Sequence, residues 1–369
     1  MRAPRSSRRP LPWRGITAVG AVVAVLVVAL LPSPYAVERP GPVFDVLGAS
    51  GTGKDRRPLI SIPEETTYPT GKGRLDLLTV SVLGSPSGGP SWIDLALAWV
   101  NPTQAVVPLE SVFPAGTTLK QNEQQSAADM TASQRSAVAA ALTQLGDRVE
   151  GDVRIATVGR GTAAAGVLEP GDVVVSYDGE AVDDSCALQN DVIAGGTRRS
   201  SIVVERDGAR RTLEVEPRAV PLSDGSTRPL LGVATTASFD FPFEVDIRIE
   251  DVGGPSAGMM FALGVIDKLT PGSLTGGRHV AGTGTICGDG AVGPIGGIRQ
   301  KMAAARAAGA TLFLAPEGNC DEVAGHVPAG LDVVPVKTLA GALDALEHVR
   351  ERGSAQGLPT CSAPVSSAG

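Results

Sequence analysis

Hydrophobic and polar positions divide the chain into stretches of different texture. Residues 2–14 carry five arginines and no acid, and the next charged residue is Glu38. The uncharged stretch between them is long enough to cross about 30 Å of hydrocarbon as a helix. This pattern predicts a basic cytoplasmic tail at 1–14 and a transmembrane anchor at 15–37, with the rest of the chain outside the cytoplasm. A cleaved signal peptide is the alternative, although Pro32, Pro34 and Tyr35 stand where a cut needs small residues. Next, 38–147 reads as a juxtamembrane and linking region, partly structured. It has a strand at 73–83, a short apolar element at 92–100 and a helix at 131–145 stopped by Gly146.

From 148 the spacing shortens. Strands at 153–158 and 173–177 are followed by a helix near 185–195 and a hairpin turning at Asp207-Gly208. This predicts a small β-rich domain over 148–218. Over 228–350 the pattern is α/β: strands at 243–250, 282–286 and 311–316, with helices from Gly258 to near Leu269 and over 298–308. Residues 351–369 read as a flexible tail.

Composition narrows the function. A net charge of −7 gives no basic face for nucleic acid. Three histidines and no Cys-x-x-Cys pair predict no metal site, and nothing calls for a cofactor. Four cysteines suit an oxidising compartment and allow three pairings, of which Cys320 with Cys361 would tie down the tail. The run from Gly48 to Lys54 imitates a phosphate-binding loop. Asp55 replaces the hydroxyl residue such a loop needs for Mg²⁺, so no nucleotide is expected.

Two residues carry candidate chemistry. Ser256 stands in Gly254-Pro255-Ser256-Ala257-Gly258, at a helix start with small neighbours that would admit a substrate carbonyl. The plain alternative is a helix cap, which needs no reactivity. Lys301 opens another helix, where it is either a solvated cation or, if buried, a base made available by desolvation. A Ser–Lys pair is a known nucleophile–base combination. His279 is the rival base, but the sequence places no orienting acid beside it.

These segments resemble two families. Gly254–Gly258, Thr283-Gly284 and Pro294-Ile295-Gly296-Gly297-Ile298-x-x-Lys301 resemble the proteolytic domain of Lon proteases over 228–350. The resemblance implies Ser256 as nucleophile, Lys301 as base and Thr283 as the residue that orients the lysine. Gly253 and Thr285 depart from residues common in that family. The run Ala165-Gly166-Val167-Leu168-Glu169-Pro170-Gly171-Asp172 resembles a bacterial PDZ domain, which takes a peptide terminus by strand addition. By that analogy Val153, Ile155 and Val158 line the groove.

Anchor, PDZ domain and Lon-type domain in this order resemble the YlbL-like membrane-anchored proteases. The resemblance implies an ATP-independent serine endopeptidase acting on proteins outside the cytoplasm, and it makes a homo-oligomer an expectation. The alternative is a PDZ-bearing tether whose protease-like domain is inactive.

Overall fold

The computed structural model describes residues 29–50, 56–114, 116–221, 227–250 and 252–361. The basic tail, most of the expected anchor and Lys54 lie outside these residues. No helix among the described residues is long and apolar enough to cross a membrane. The carboxyl-terminal end of the expected anchor needs correction. Tyr35–Asp45 is a strand with Ala36 and Val37 buried, so a helix cannot run on to residue 37. Pro32 and Pro34 supply the physical stop.

The described chain falls into two compact units. In the smaller, Tyr35–Glu38 pairs antiparallel with Ala105–Pro108. The apolar element at 92–100 is a helix, Trp92–Trp99, started by a capping box between Ser91 and Asp94. Val37, Leu95 and Ala98 form its small core.

The larger unit holds an α/β domain and a β domain. In the α/β domain the strands lie in the order Asp332–Val336, Leu312–Pro316, His279–Gly282, Arg74–Leu83 and Tyr35–Asp45. The first three pairings are parallel. Alternation along a strand sends successive side chains to opposite faces. Leu312 and Leu314 therefore enter one core with helix Gly258–Leu269, while Phe313 and Ala315 enter another with helix Ile298–Ala308. The two candidate catalytic residues thus come from opposite faces of one sheet.

This domain reaches well outside 228–350. Val46, Leu59, Ile60, Leu75 and Leu77 lie in the same core as helix Gly258–Leu269, as do Ala137, Val138, Ala140, Ala141 and Leu142 of a long helix, Leu119–Leu145. The stretch read as a linking region is therefore partly built into the core of the α/β domain. Residues 353–361 are not a loose tail either, because Ala355 and Leu358 pack on that core and Cys361 is disulfide-bonded to Cys320. The expected strand at 243–250 shrinks to Asp246–Ile247, paired with Ile60–Ser61. The strand at 282–286 breaks into His279–Gly282 and Thr285–Ile286.

In the β domain the strand order is Ala209–Val215, Ser200–Arg206, Val173–Tyr177, Glu150–Val158 and Val233–Asp240. Val233–Asp240, which the sequence pattern assigned to the α/β part, pairs along its length with Glu150–Val158. The β domain therefore extends from about 148 to 240 and not to 218. Asp172 is buried and accepts from Arg206 through both carboxylate oxygens, at 2.6 and 2.7 Å, and from the Glu169 N–H at 2.9 Å. The Arg206 hydrogen bonds hold its carboxyl below the usual range. A depressed carboxylate stabilises the fold at any pH above its unfolded value, near 4, and loses that effect as pH falls through the folded value. Asp172→Ala removes two charge-assisted bonds while Arg206 keeps Glu169 and the Val167 carbonyl as partners, and it is expected to cost about 2 kcal/mol. Thermal melts of the two proteins at neutral pH test this.

Candidate active site

Ser256 does not cap the helix that follows it. That helix begins at Gly258, its cap residue is Ala257, and no side chain bonds to its first turn. Ser256 sits instead in the turn before it, which Gly254 shapes with φ +85°, a left-handed conformation that suits glycine. Two bonds from the long helix hold this turn. The Gly254 N–H donates to the Ser126 carbonyl at 2.9 Å, and Ser133 Oγ donates to the Pro255 carbonyl at 2.9 Å. Ser126 and Ser133 are two helical turns apart on one face.

The Ser256 hydroxyl is turned to Lys301. Lys301 Nζ donates to Ser256 Oγ at 2.7 Å and to Thr283 Oγ1 at 3.0 Å. Thr283 Oγ1 in turn donates to the Ser256 carbonyl at 2.9 Å, and the Gly284 N–H donates to the same oxygen at 2.9 Å. Lys301 is 2% exposed and Thr283 is 1% exposed. The solvated-lysine alternative is thereby excluded. The strand break after Gly282 leaves Thr283 at the carboxyl end of a central parallel strand, where the two helices converge.

The Lys301 helix is placed by its own start. Gly297 caps it in a left-handed conformation, φ +67°. Asn319, buried, accepts from the Ile295 N–H at 2.9 Å and donates back to the Ile295 carbonyl at 2.8 Å. The sequence pattern missed Ser126, Ser133 and Asn319. Only the place of Asn319 beside Cys320, itself tied to Cys361, hinted at a fixed position.

Other expected residues fall elsewhere. His279 does have an acid: its Nε2 lies 2.5 Å from Asp76 Oδ2, and Asp76 also accepts from Arg74. Thr283 lies four residue steps along the chain from His279, which is about 13 Å of extended chain. The His–Asp pair is therefore remote from Ser256. Lys268 was expected at the surface but is half-buried, and burial lowers its amine from the usual range. Val153 and Ile155 are buried in the β-domain core, and Val158 packs against it. Their strand is paired on both sides, so no peptide can add to it.

The open edge belongs to Val233–Asp240, which among the described residues has Glu150–Val158 as its one strand partner. Beside it runs helix Ser185–Gly195, and the groove between them opens into a cavity of about 950 Å³. Asp184, Cys186 and Cys287 cluster at the helix start. They do not fit a metal, since the two sulfurs are joined in a disulfide and Asp184 accepts from the Gly288 N–H at 2.6 Å. Burial pushes the Asp184 carboxyl above the usual range.

Residues 250–348 match the Lon protease (S16) C-terminal proteolytic domain. Lon protease 2 of Bacillus subtilis is 31% identical over 134 residues, covering 35% of this chain and 24% of that one. Lon protease 2 of Herpetosiphon aurantiacus is 41% identical over 120 residues, covering 30% of this chain and 14% of that one. The chain thus spans about a quarter or less of the length of these relatives. Among solved structures, the PDZ domain of an SdrC-like protein from Listeria monocytogenes is similar, with 20% identity and a TM-score of 0.21. It covers 22% of this chain and 85% of that one. Set beside the Ser256–Lys301 geometry, these matches lead to one statement: residues 250–348 are a Lon-type serine peptidase domain.

Proposed function

We propose that the chain is an ATP-independent, membrane-anchored serine endopeptidase that acts on proteins outside the cytoplasm. The observation that carries the reading is the 2.7 Å bond from a buried Lys301 Nζ to Ser256 Oγ. Burial disfavours a charged amine, and a neutral Lys301 is the form that can accept a proton. Ser256 Oγ attacks the substrate carbonyl carbon while its proton passes to Lys301 Nζ. The tetrahedral intermediate collapses, the C–N bond breaks, and Lys301 returns the proton to the leaving amine. Water then attacks the acyl ester, giving up a proton to Lys301, and the departing Ser256 oxygen takes that proton back. Backbone N–H groups beside Ser256 would hold the oxyanion.

The β domain serves as a PDZ-type receptor for substrate carboxyl termini. Its open strand and neighbouring helix have the form required for strand addition. Neither Leu231 nor Gly232, at the start of that strand, has an acceptor for its backbone N–H among the described residues. The anchor at the amino-terminal end and a homo-oligomeric assembly complete the proposal by resemblance.

The competing reading, a tether with a dead protease-like domain, predicts no need for the Ser256–Lys301–Thr283 bonds. The full-length chain in detergent, given an unfolded polypeptide and no nucleotide, is expected to hydrolyse it. Ser256→Ala is expected to abolish this hydrolysis. An inactive wild type, or equal activity in Ser256→Ala, would overturn the proposal.

A further inference from the structure

The cavity along Val233–Asp240 continues beyond the β domain. One wall is the open strand edge, and a second is Leu188 and Val192 of helix Ser185–Gly195. A third is the face of the long helix that carries Ser133 and Ser136. Its remaining lining includes Pro255, Thr285 and Ile286, the chain neighbours of Ser256 and Gly284. One space therefore joins the groove to the residues around the nucleophile.

The strand has a direction within this space. It starts beside the N–H groups of Leu231 and Gly232, which have no backbone acceptor among the described residues, and ends near Phe239. The Phe239 carbonyl accepts from Arg135 Nη2 at 3.2 Å, and two residues earlier on the same helix Ser133 bonds to Pro255. Those two helix positions differ by about 3 Å along the axis. The far end of the strand and the nucleophile turn are thus both bonded to the same helix, at nearly the same height along its axis.

The start of helix Ser185–Gly195 is fixed to the catalytic side as well. Cys186 is disulfide-bonded to Cys287, and Asp184 accepts from the Gly288 N–H and from Ser136 Oγ at 3.4 Å. Residues 287 and 288 directly follow strand Thr285–Ile286. Groove and nucleophile are held at a set separation by a covalent bond and a buried carboxylate.

We propose that the enzyme cuts an unfolded protein at a fixed distance from that protein's own carboxyl terminus. The occupant of the groove is the substrate's carboxyl-terminal segment, its carboxylate at Leu231 and Gly232 and its backbone antiparallel to Val233–Phe239. An antiparallel partner of that strand leads away from the carboxylate toward Arg135 and then Pro255. Covering Gly232 to Phe239 takes about seven residues, so the scissile bond lies at least that far upstream. Each cut creates a new carboxyl terminus, which the same groove accepts next. This inference rests on Ser256 as the nucleophile and adds where along a substrate it acts.

The test gives the full-length enzyme one unstructured polypeptide in three forms: free carboxyl terminus, amidated terminus, and terminus extended by alanines. Product masses locate the first cut. The cut is expected to move by as many residues as were added, and amidation is expected to slow it at least about tenfold, the loss of one charge-assisted bond. A cut that stays at the same internal sequence in all three forms, with unchanged rate, would overturn the proposal. A small covalent serine probe is run alongside. Labelling of Ser256 together with termini-blind cutting refutes the fixed distance and leaves the nucleophile standing. Failure to label Ser256 refutes the nucleophile, and the fixed distance with it.

Discussion

Lys301→Arg is expected to be as inactive as Lys301→Ala, with kcat reduced by at least about two orders of magnitude, the usual scale for losing a general base. The guanidinium keeps the charge and most of the length but does not release a proton in any working range. A structural role filled by the cation alone would tolerate arginine, so the comparison separates base from prop. In the wild type, the rate should rise with pH as the lysine loses its proton, because only the neutral amine accepts the Ser256 proton. Two controls sharpen the result. Lys268→Ala should stay near normal, since Lys268 lies in the last turn of helix Gly258–Leu269, away from Ser256 at its start. His279→Ala should retain activity, because His279 is bonded to Asp76 and stands far from Thr283. Steady-state kinetics on an unfolded polypeptide measure all four. An active Lys301→Arg with a dead His279→Ala would reverse the assignment.

Thr283→Val is expected to lower kcat about ten- to a hundredfold, with KM little changed. Valine matches the shape of threonine but removes the acceptor for Lys301 Nζ and the donor to the Ser256 carbonyl. Leaving a buried polar group unpaired costs about 1–3 kcal/mol. Thr283→Ser keeps both bonds and should recover most of the rate. Thr283 is a positioning residue, so the loss should appear in kcat and in a displaced pH profile. A drop confined to thermal stability, with kcat intact, would make Thr283 merely structural.

The two reacting residues were legible in the sequence because each is embedded in a short run with strong local constraints. Gly254-Pro255-Ser256 makes a turn before an apolar helix, and Gly296-Gly297 precedes the helix of Lys301. Their meeting was not legible from spacing alone, since it depends on helices from opposite faces of one sheet converging past Gly282. The long helix was half seen. Its apolar 131–145 portion predicted a helix, but the bond from Ser133 to Pro255 spans 122 residues and leaves no local pattern.

The groove was misplaced for a related reason. Alternation in 153–158 says that a strand has a buried face, but not whether its edges are paired. The strand that covers it, Val233–Asp240, lies more than seventy residues later and alternates in the same way. The joins between regions failed likewise. Residues such as Leu75 and Leu77 read as a lone strand until their parallel partner at 279–282 is in place.

The central claim is that Ser256 is a nucleophile activated by Lys301. Its most direct test is peptide mapping of the full-length chain after reaction with a covalent serine probe, without nucleotide, over a range of pH. The account predicts one adduct, on Ser256, whose rate of formation climbs with pH in the wild type and is nearly absent in Lys301→Arg. An adduct on another residue, or on Ser256 at the same rate when Lys301 is arginine, would contradict it.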